Sequence, residues 1–279
     1  MKNTRIISVA TTGSWPSKQD NPNLPVSPEE IARDIYECYL EGAAVAHIHV
    51  RDEKGAPSME TEYFARVAER LSTDHPDCDI ILNFTTSGGV AWSEEQRMAP
   101  ALSLRPEMAT FDCGSMNWRR SMVFDNNPRF LDRLGRALTE AGIKPEVEVF
   151  HSGMLEEALY YLKTGALQAP LHFQFCLGVP GGASATVKEL LHLWELLPEG
   201  ATWSAFGVGR GAMEIMYAAI ALGGNIRVGM EDNVRFDREH LAKSNAQLVG
   251  RARQALELYG CCAATPAQAR EMLGLGSAL

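Results

Sequence analysis

The sequence predicts an α/β fold, a single (β/α)8 TIM barrel that spans residues 1–279 and ends in a short tail helix. Apolar, β-branched runs of about five to eight residues alternate with helical periods of about ten to seventeen. The alternation repeats as eight strand–helix units whose connections are short enough for right-handed crossovers. No Ser/Pro/Gly-rich or charge-rich linker divides the chain, and its 279 residues match the size of one barrel.

Eight segments have the apolar, β-branched character of barrel strands. The first, RIISVATT, is closed by Gly13, and the second contains the HIH stretch. Most of the later strands are followed by glycine or polar residues, which is typical of loops that lead into a helix. The predicted strands are 5–12, 45–51, 79–86, 108–113, 146–151, 172–177, 202–207 and 226–230.

The predicted helices lie between these strands. The first opens at Ser27, which is a favourable N-cap residue. Pro28 suits the first helical position, and Glu30 completes a capping box with Ser27. The other helices are predicted at 60–71, 93–104, 128–141, 154–167, 187–197, 213–222 and 241–259, and the tail helix at 266–273.

The charge and composition of the chain argue against two classes of partner. The formal net charge is −9 at pH 7, which disfavours nucleic acid and anionic membrane surfaces. There is no run of about 18 apolar residues, and the first residues are not followed by the apolar segment of a signal peptide. The 6 cysteines show no metal-finger spacing. These features predict a cytoplasmic protein with reduced thiols.

The second predicted strand carries two histidines, His47 and His49. Side chains two residues apart on a strand point to the same face, so both imidazoles and Arg51 would look into the barrel while Asp52 begins the loop. Two converging imidazoles are typical of a transition-metal site. The alternative is a pair of hydrogen-bonded core histidines.

The last predicted strand brings a third candidate ligand to the same place. Arg227, Gly229 and Glu231 share parity, and this strand closes against the first strand, so that Glu231 can point at the two histidines. Two histidines and a glutamate with one open position form a catalytic zinc arrangement, and such a mixed N/O set also suits other divalent ions. The alternative for Glu231 is a salt bridge to Arg227 or Arg51.

Three further side chains suit acid–base or carboxylate chemistry. Asp232 follows the candidate ligand, and beside a metal and an arginine it stays ionised and can take a proton from a carbon acid. Its alternative is a helix N-cap or a loop hydrogen bond. Arg227 would anchor a carboxylate or pair with Glu231. Glu148 is either a general acid/base or a partner that orients a ligand.

Glycine-rich segments follow three of the strands, at 86–89, 178–182 and 207–210, and would present backbone N–H groups to a ligand. One such loop is ordinary in a strand–helix connection, whereas several on one rim indicate an extended ligand. His151 and His172 are each a lone histidine in or beside an apolar strand. They are more typical of satisfied core residues than of metal ligands.

Several motifs resemble the β-keto acid cleavage enzyme family, which is named for its 3-keto-5-aminohexanoate cleavage member. The most specific pair is HxHxRD at 47–52, followed far downstream by RxGxED at 227–232. The other matching segments are TG at 12–13, PVSPEEIA at 25–32, TSGG at 86–89, RPEMA at 105–109 and GVPGG at 178–182. Together they extend from the first predicted strand to the last.

The resemblance implies a zinc enzyme on a TIM barrel, usually a homo-oligomer and most often a tetramer. Such enzymes condense a β-keto acid with acetyl-CoA and release acetoacetate and a new CoA thioester. Carried over by position, the resemblance implies Zn²⁺ ligands at His47, His49 and Glu231, a base at Asp232, its catalytic partner at Arg227 and a supporting acid at Glu148. It also implies substrate contacts at Thr86, Gly89 and Thr110.

One position departs from the family pattern. Members that act on an amino-bearing keto acid place an acidic residue just after the first strand, where this chain has Trp15. A carboxylate clamp on a primary ammonium is therefore not expected. Trp15 would instead pack against an apolar tail or face a quaternary ammonium through a cation–π contact. The alternative is a loop tryptophan that covers the mouth of the barrel.

Two other functions stand beside this one. A metal-dependent hydrolase on the same fold usually carries HxH on its first strand, with further histidine and aspartate ligands and a bridging lysine later. Here HxH lies on the second predicted strand, and the fourth lacks a lysine. A non-catalytic ligand sensor would be expected to lose Asp232 or a metal ligand, and all of them are present.

Overall fold

The chain forms a closed barrel of parallel strands surrounded by helices. The computed structural model describes residues 3–89 and 92–276, so the ends of the predicted 1–279 domain and residues 90 and 91 lie outside the described residues. The strands are β1 (Thr4–Arg5), β2 (Ile7–Ala10), β3 (Val45–Ile48), β4 (Val50–Arg51), β5 (Pro57–Ser58), β6 (Ile81–Phe84), β7 (Met108–Asp112), β8 (Met116–Trp118), β9 (Met122–Phe124), β10 (Lys144–Val149), β11 (His172–Leu177), β12 (Thr202–Gly207), β13 (Asn225–Val228) and β14 (Cys262–Ala263).

The strand order around the barrel is β2-β3-β6-β7-β10-β11-β12-β13, and β13 pairs with β2 to close it. Each neighbouring pair is parallel. Because all eight strands run in the same direction, their carboxyl ends all lie at one rim of the barrel, and each crossover connection returns the chain to the opposite rim. The predicted (β/α)8 fold is confirmed, and the HIH strand lies next to the first barrel strand.

Helices follow the barrel strands as the periodicity predicts. The predicted capping box is present, because Ser27 Oγ accepts from the Glu30 amide at 3.1 Å and Glu30 Oε2 accepts from the Ser27 amide at 3.1 Å. The helices are α1 (Pro28–Leu40), α2 (Thr61–Asp74), α3 (Glu94–Leu104), α4 (Pro128–Ala141), α5 (Ser152–Thr164), α6 (Val187–Glu195), α7 (Ala212–Ala221), α8 (Asn245–Leu258) and the tail helix α9 (Pro266–Leu273). None of the helices among the described residues is long and apolar enough to cross a membrane.

The bounds of most predicted elements differ from the observed ones by a few residues, and three of these differences have a clear structural cause. The first strand is divided at Ile6, whose amide donates to Asn225 Oδ1 at 2.8 Å instead of joining the ladder. The predicted 241–259 helix begins later, because Ser244 is its N-cap and accepts from the Gln247 amide. The last barrel strand ends at Val228, so the residues that follow it leave the sheet.

The HIH strand is also interrupted. β3 ends at Ile48, and Val50 and Arg51 form the separate strand β4, which pairs antiparallel with β5. The Arg51 guanidinium donates to the carbonyl oxygens of Pro16 at 2.8 Å and Gly55 at 3.3 Å. Arg51 is buried, and its side chain joins two loops.

The interior of the barrel is polar, whereas the outer faces of its strands are apolar. Inside, Asn83 Nδ2 donates to Glu146 Oε1 at 2.7 Å, and His172 Nε2 lies 3.8 Å from Glu146 Oε2. Ser204 Oγ donates to Gln174 Oε1. A buried polar group without a hydrogen-bond partner destabilises the folded protein. These side chains bond to one another, and this pairing allows a polar network to lie beneath the rim. The apolar face includes the fully buried Phe84, Phe111, Phe173 and Phe175.

Candidate functional site

A cavity of about 360 Å³ opens at the rim where the barrel strands end. One side, the polar wall, consists of His49, Asp112, Glu148, Arg227, Glu231 and Asp232. The outer edge, the mouth, consists of Trp15, Trp118 and Arg119. This is the rim at which TIM barrels carry their chemistry.

The predicted metal ligands converge beside this cavity. His47 Nε2 and His49 Nε2 each lie 3.4 Å from Glu231 Oε1. The centroids of the two imidazole rings are 5.0 Å apart, and the side chains of His47 and His49 are buried, with only 2% and 6% exposed. Three ligand atoms, one from each residue, all lie within 4.8 Å of one another. The structure thus brings together two histidines and a carboxylate from opposite ends of the chain.

The donor set fits a divalent transition metal. Burial lowers the pKa of His47 to about 4, so its imidazole is neutral at pH 7, the form that binds a metal. Ser14 Oγ lies 2.9 Å from His49 Nδ1, and in the tautomer in which Nδ1–H donates to Ser14, the Nε2 lone pair faces Glu231. Glu231 Oε2 is buried without a hydrogen-bond partner among the described residues. An unpaired oxygen beside two imidazoles is what a cation would satisfy.

Glu231 reaches this position through a turn rather than as part of a strand. After β13 ends, Gly229 has a φ of +148°, and a Cβ there would lie 1.9 Å from the Ala10 carbonyl oxygen. The Glu231 amide donates to this same oxygen at 3.2 Å. Gly13 faces the carboxylate side chain, and a Cβ at Gly13 would lie 2.5 Å from Glu231 Cγ. Glu231 lies beside the two histidines, as strand parity predicted, but it reaches them through a turn that depends on two glycines and not as part of a strand.

Asn245 holds this turn from below. Its Oδ1 accepts from the Met230 amide at 2.7 Å, while its Nδ2 donates to the Thr11 carbonyl at 3.1 Å and to Asp34 Oδ2 at 2.7 Å. Burial raises the pKa of Asp34 to about 7. One amide on α8 therefore links the end of β2, helix α1 and the residue that precedes Glu231.

Arg227 is the charged centre of the polar wall. It donates from Nε and Nη2 to Asp232 at 3.0 and 3.1 Å, from Nη2 to Glu231 Oε1 at 2.8 Å, and from Nη1 to Glu148 Oε1 at 3.0 Å. Its guanidinium carbon lies 4.5 Å from the centroid of the Phe206 ring. Bidentate contact fixes the Asp232 carboxylate in one plane. Of the two readings of Arg227, the salt bridge to Glu231 is present in the structure.

The carboxyl groups around Arg227 differ in acidity. Burial disfavours the charge of Glu231, but His49, His47 and Arg227 together hold its pKa well below the ordinary value. Burial raises the pKa of Asp232 to about 6, although Arg227 opposes this. Burial and the charge of Asp112 raise the pKa of Glu148 well above its usual range. Glu231 is therefore the strongest anion of the group, Asp232 is ionised at neutral pH, and Glu148 favours its protonated form.

Three residues of the site are not indicated by the sequence motifs. Ser14 orients His49, as described above. Glu146 Oε1 lies 4.0 Å from His47 Nδ1, the side of the ring away from Glu231. Asp112 ends β7 on the polar wall next to Glu148, and its Oδ2 is buried without a hydrogen-bond partner among the described residues. Strand parity could have indicated Glu146 and Asp112, because each lies at an inward position of its strand.

The predicted substrate-contacting residues do not all reach the cavity. Trp15 and Gly89 line it. Thr86 and Thr110 are fully buried behind it and bond to each other: the Thr86 amide donates to Thr110 Oγ1, and Thr86 Oγ1 donates to the Thr110 carbonyl, both at 3.0 Å. In this arrangement the two threonines support the loop that carries Gly89.

The two remaining candidate histidines, His151 and His172, belong to none of the possible metal-binding groups among the described residues. His172 Nδ1 bonds Thr202 Oγ1 at 2.9 Å within the barrel interior. Its buried ring is thus a satisfied core residue, as the sequence indicated. His151 is the residue that precedes α5, and its side chain makes no capping hydrogen bond.

Comparison with known proteins is informative over nearly the whole chain. Residues 5–275 match the model of a family described as beta-keto acid cleavage enzyme. The chain is 41% identical over 270 residues to a 3-keto-5-aminohexanoate cleavage enzyme of Fusobacterium nucleatum, covering 97% of both chains. It is 38% identical over 276 residues to a 3-oxoadipate:acetyl-CoA acetyltransferase of Cupriavidus necator, covering 98% of this chain and 95% of that one.

Two further matches extend the comparison. A 3-dehydrocarnitine:acetyl-CoA trimethylamine transferase of Rhizobium meliloti is 34% identical over 291 aligned positions, covering 96% of each chain. Among solved structures, the apo structure of ObcA superimposes with a TM-score of 0.81 over 91% of this chain and 66% of that chain, at 23% identity. At this level of sequence identity, the structural match supports the barrel fold and nothing further.

Proposed function

Because this chain belongs to the beta-keto acid cleavage enzyme family, we propose that it transfers the acyl part of a β-keto acid to CoA, consuming acetyl-CoA and releasing acetoacetate. The observation that carries the proposal is the convergence of His47, His49 and Glu231 beside a carboxylate, Asp232, that Arg227 holds in place. The names of the relatives support the use of acetyl-CoA.

We propose Zn²⁺ as the metal, held by His47, His49 and Glu231. When bound there, Zn²⁺ would polarise the oxygens of a chelating β-keto acid and so favour loss of a proton from the carbon between them. The neutral His47 and the strongly acidic Glu231 are the protonation states that such binding needs.

Asp232 is the proposed base. It takes a proton from C2 of the keto acid, and the Arg227 guanidinium keeps its carboxylate in one orientation through two hydrogen bonds. The C2 carbanion then forms a bond to the acetyl carbonyl carbon of acetyl-CoA, and the CoA thiolate leaves. The thiolate attacks the original keto carbon, the C2–C3 bond breaks, and the proton returns to C2 of the product acetoacetate.

Glu148 is the proposed supporting acid. Its Oε1 accepts from Arg227 Nη1 at 3.0 Å, and it lines the cavity next to Asp112. A carboxyl that favours its protonated form can donate a hydrogen bond to an oxygen that gains charge during the two carbon–carbon bond steps. Trp15 and Gly89 are proposed to contact the substrate, with Thr86 and Thr110 supporting Gly89 from behind.

The assembly and location of the protein are proposals of the same kind. We propose that the chain works as one barrel domain in a cytoplasmic homotetramer, as the resemblance to the family implies. No role for nucleic acid or a membrane is proposed, because the net charge of −9 disfavours both.

The test is to incubate zinc-loaded protein with acetyl-CoA and a panel of β-keto acids. Acetoacetate and a new acyl-CoA should appear in equal amounts, and neither should form without acetyl-CoA. A panel that yields no acetoacetate with metal-loaded protein would overturn the proposal. Turnover of amides or esters without CoA would point instead to the hydrolase.

A further inference from the structure

The mouth of the cavity contains a cation, Arg119. Its guanidinium carbon lies 5.1 Å from the centroid of the Trp15 ring, and the Trp15 ring stacks on that of Trp118 at 6.2 Å. All three residues line the same cavity as the polar wall. A guanidinium placed over an aromatic face keeps its N–H groups directed around the edge of the ring, available to an anion.

The backbone places Arg119 at this point under constraint. It lies in the turn between β8 and β9, where Arg119 and Arg120 have φ values of 50° and 59°, a left-handed conformation that bulky residues rarely adopt. The Arg119 amide donates to the Pro180 carbonyl at 2.7 Å. A Cβ at Gly181 would lie 2.0 Å from the Asn117 carbonyl oxygen, so the hairpin is pressed against this loop. Two successive left-handed residues are what a tight hairpin turn requires, so the hairpin fixes the position of Arg119.

The charge of Arg119 is not neutralised by an ion pair. Within the described ranges, 3–89 and 92–276, no carboxylate oxygen forms an ion pair with it within 4.0 Å. Asp20 is close enough for Arg119 to contribute to its lowered pKa, but its carboxylate accepts from the amide and the hydroxyl of Ser17. Arg119 is exposed and lines the cavity, so its charge is available to a ligand there.

The cavity has opposite character at its two ends. The carboxylates of the polar wall lie at the inner end, where Arg227 already binds three of them. Phe124, Phe150 and Phe206 line the cavity as well and are apolar. An acid that chelates at the inner end would thus pass apolar rings and meet a positive charge at the outer end.

We propose that Arg119 binds an anionic group at the far end of the keto acid, so that the substrate is a β-keto acid with a second carboxylate. The proposal rests on the proposed function and adds the class of substrate. It also excludes keto acids with a cationic tail. An ammonium stacked on Trp15 would lie next to the Arg119 guanidinium, and two like charges so close together repel each other. Trp15 is thus the platform for Arg119 and not a cage for a quaternary ammonium.

The test compares three series of 3-oxo acids, matched in chain length, that end in a carboxylate, a methyl group or an ammonium. The parent enzyme should give the highest kcat/KM for the carboxylate series at its best chain length. Arg119→Gln should lower the ratio of carboxylate to methyl kcat/KM by roughly 10- to 100-fold, because a charge-assisted hydrogen bond is lost. Arg120→Gln is the matched control, since Arg120 shares the turn and its left-handed backbone but does not line the cavity.

A second measurement needs no turnover. Binding of non-reacting saturated diacids and monoacids to the zinc-loaded protein should show the same preference for the diacid, and Arg119→Gln should remove it. Equal binding and equal kcat/KM for carboxylate and methyl tails in the parent would overturn the inference while leaving the proposed function standing. Absence of acetoacetate from every series would instead count against the proposed function.

The alternative anion is a phosphate of CoA. If Arg119→Gln raised KM for acetyl-CoA but not for acetyl-pantetheine, and left the discrimination between tails unchanged, the guanidinium would bind the nucleotide part of CoA. That outcome would overturn the assignment to the keto acid.

Discussion

The polar wall and the mouth of the cavity differ in how their charges are held. Arg227 is 4% exposed and donates to Glu148, Glu231 and Asp232 at once. Arg119 at the mouth is exposed, has no ion pair within the described residues, and lies against Trp15, which is 40% exposed. The charge of Arg227 is paired with carboxylates of the protein, whereas the charge of Arg119 is available to a ligand.

This difference indicates a division of work. Removing one partner from a buried charged network leaves another charge unpaired, so every residue of the polar wall is expected to be essential whatever the substrate. The mouth rests on loops, and a change there removes one contact with one end of the ligand. We therefore expect changes in the wall to lower activity with all keto acids alike, and changes in the mouth to alter the preference among them.

The largest effect is expected from His49→Ala. With one of three ligands gone, the site should lose its zinc, and turnover of every keto acid should fall to background. Metal content measured by mass spectrometry after dialysis reports the loss. His151→Ala is the control, because His151 belongs to no candidate metal-binding group among the described residues and its loss should leave zinc binding unchanged. A His49→Ala protein that retains zinc as firmly as the parent would contradict the assignment of ligands.

Asp232→Asn should be next. The amide keeps the shape of the side chain but cannot take the proton from C2, so kcat should fall by about 10²- to 10⁴-fold. Zinc content should stay at the parent level, which separates this variant from those at the ligands. Proportional loss with all keto acids is expected, and a loss restricted to one of them would place Asp232 in substrate selection instead.

Ser14→Ala and Trp15→Ala test the comparison at adjacent residues. Ser14 orients His49 at the wall, and removing its hydroxyl should weaken zinc binding by roughly 10- to 100-fold. The measurement is competition for zinc with a chelator of known affinity. Unchanged zinc affinity would mean that Ser14 does not fix the imidazole.

Trp15→Ala should leave zinc affinity unchanged and act on substrate binding. Loss of an aromatic contact costs about 0.5–1.5 kcal/mol, so KM for the keto acid should rise by up to roughly tenfold with little change in kcat. Steady-state kinetics with a single keto acid is sufficient to test this. A large fall in kcat with unchanged KM would indicate that Trp15 acts in the chemical step, as the residues of the polar wall are proposed to do.

The smallest effect on activity is expected from Asp34→Asn, which acts on stability. Burial raises the pKa of Asp34 from 3.8 to about 7 in the folded protein, so the folded state retains a proton that the unfolded state has lost. The parent therefore loses stability as pH rises from about 4 to 7, by up to roughly 1.4 kcal/mol per pH unit.

Asparagine cannot ionise and can still accept from Asn245, so the variant should gain stability relative to the parent across this range. Urea unfolding of both proteins at several pH values measures the difference. Parallel stability profiles would show that Asp34 is already ionised in the folded protein.

Local sequence patterns were sufficient to predict the barrel and the two histidines of the proposed metal site. Strand and helix periods reflect local backbone geometry, so eight units could be recognised, and α4, β11, β12 and α9 were predicted at their observed bounds. The N-cap at Ser27 depends on residues three apart, and the convergence of His47 and His49 depends on residues two apart. Such short-range relations can be read directly along the chain.

The other features of the site could not be predicted, because they depend on contacts that exist only after the barrel closes. Glu231 reaches the histidines because Gly229 and Gly13 allow its turn to lie against β2, and Asn245 holds that turn from α8. The short hairpin β8–β9 was not predicted, yet it carries Arg119 to Trp15, more than a hundred residues away in sequence. No local period encodes such a pairing, since its cause is the packing of one loop on another.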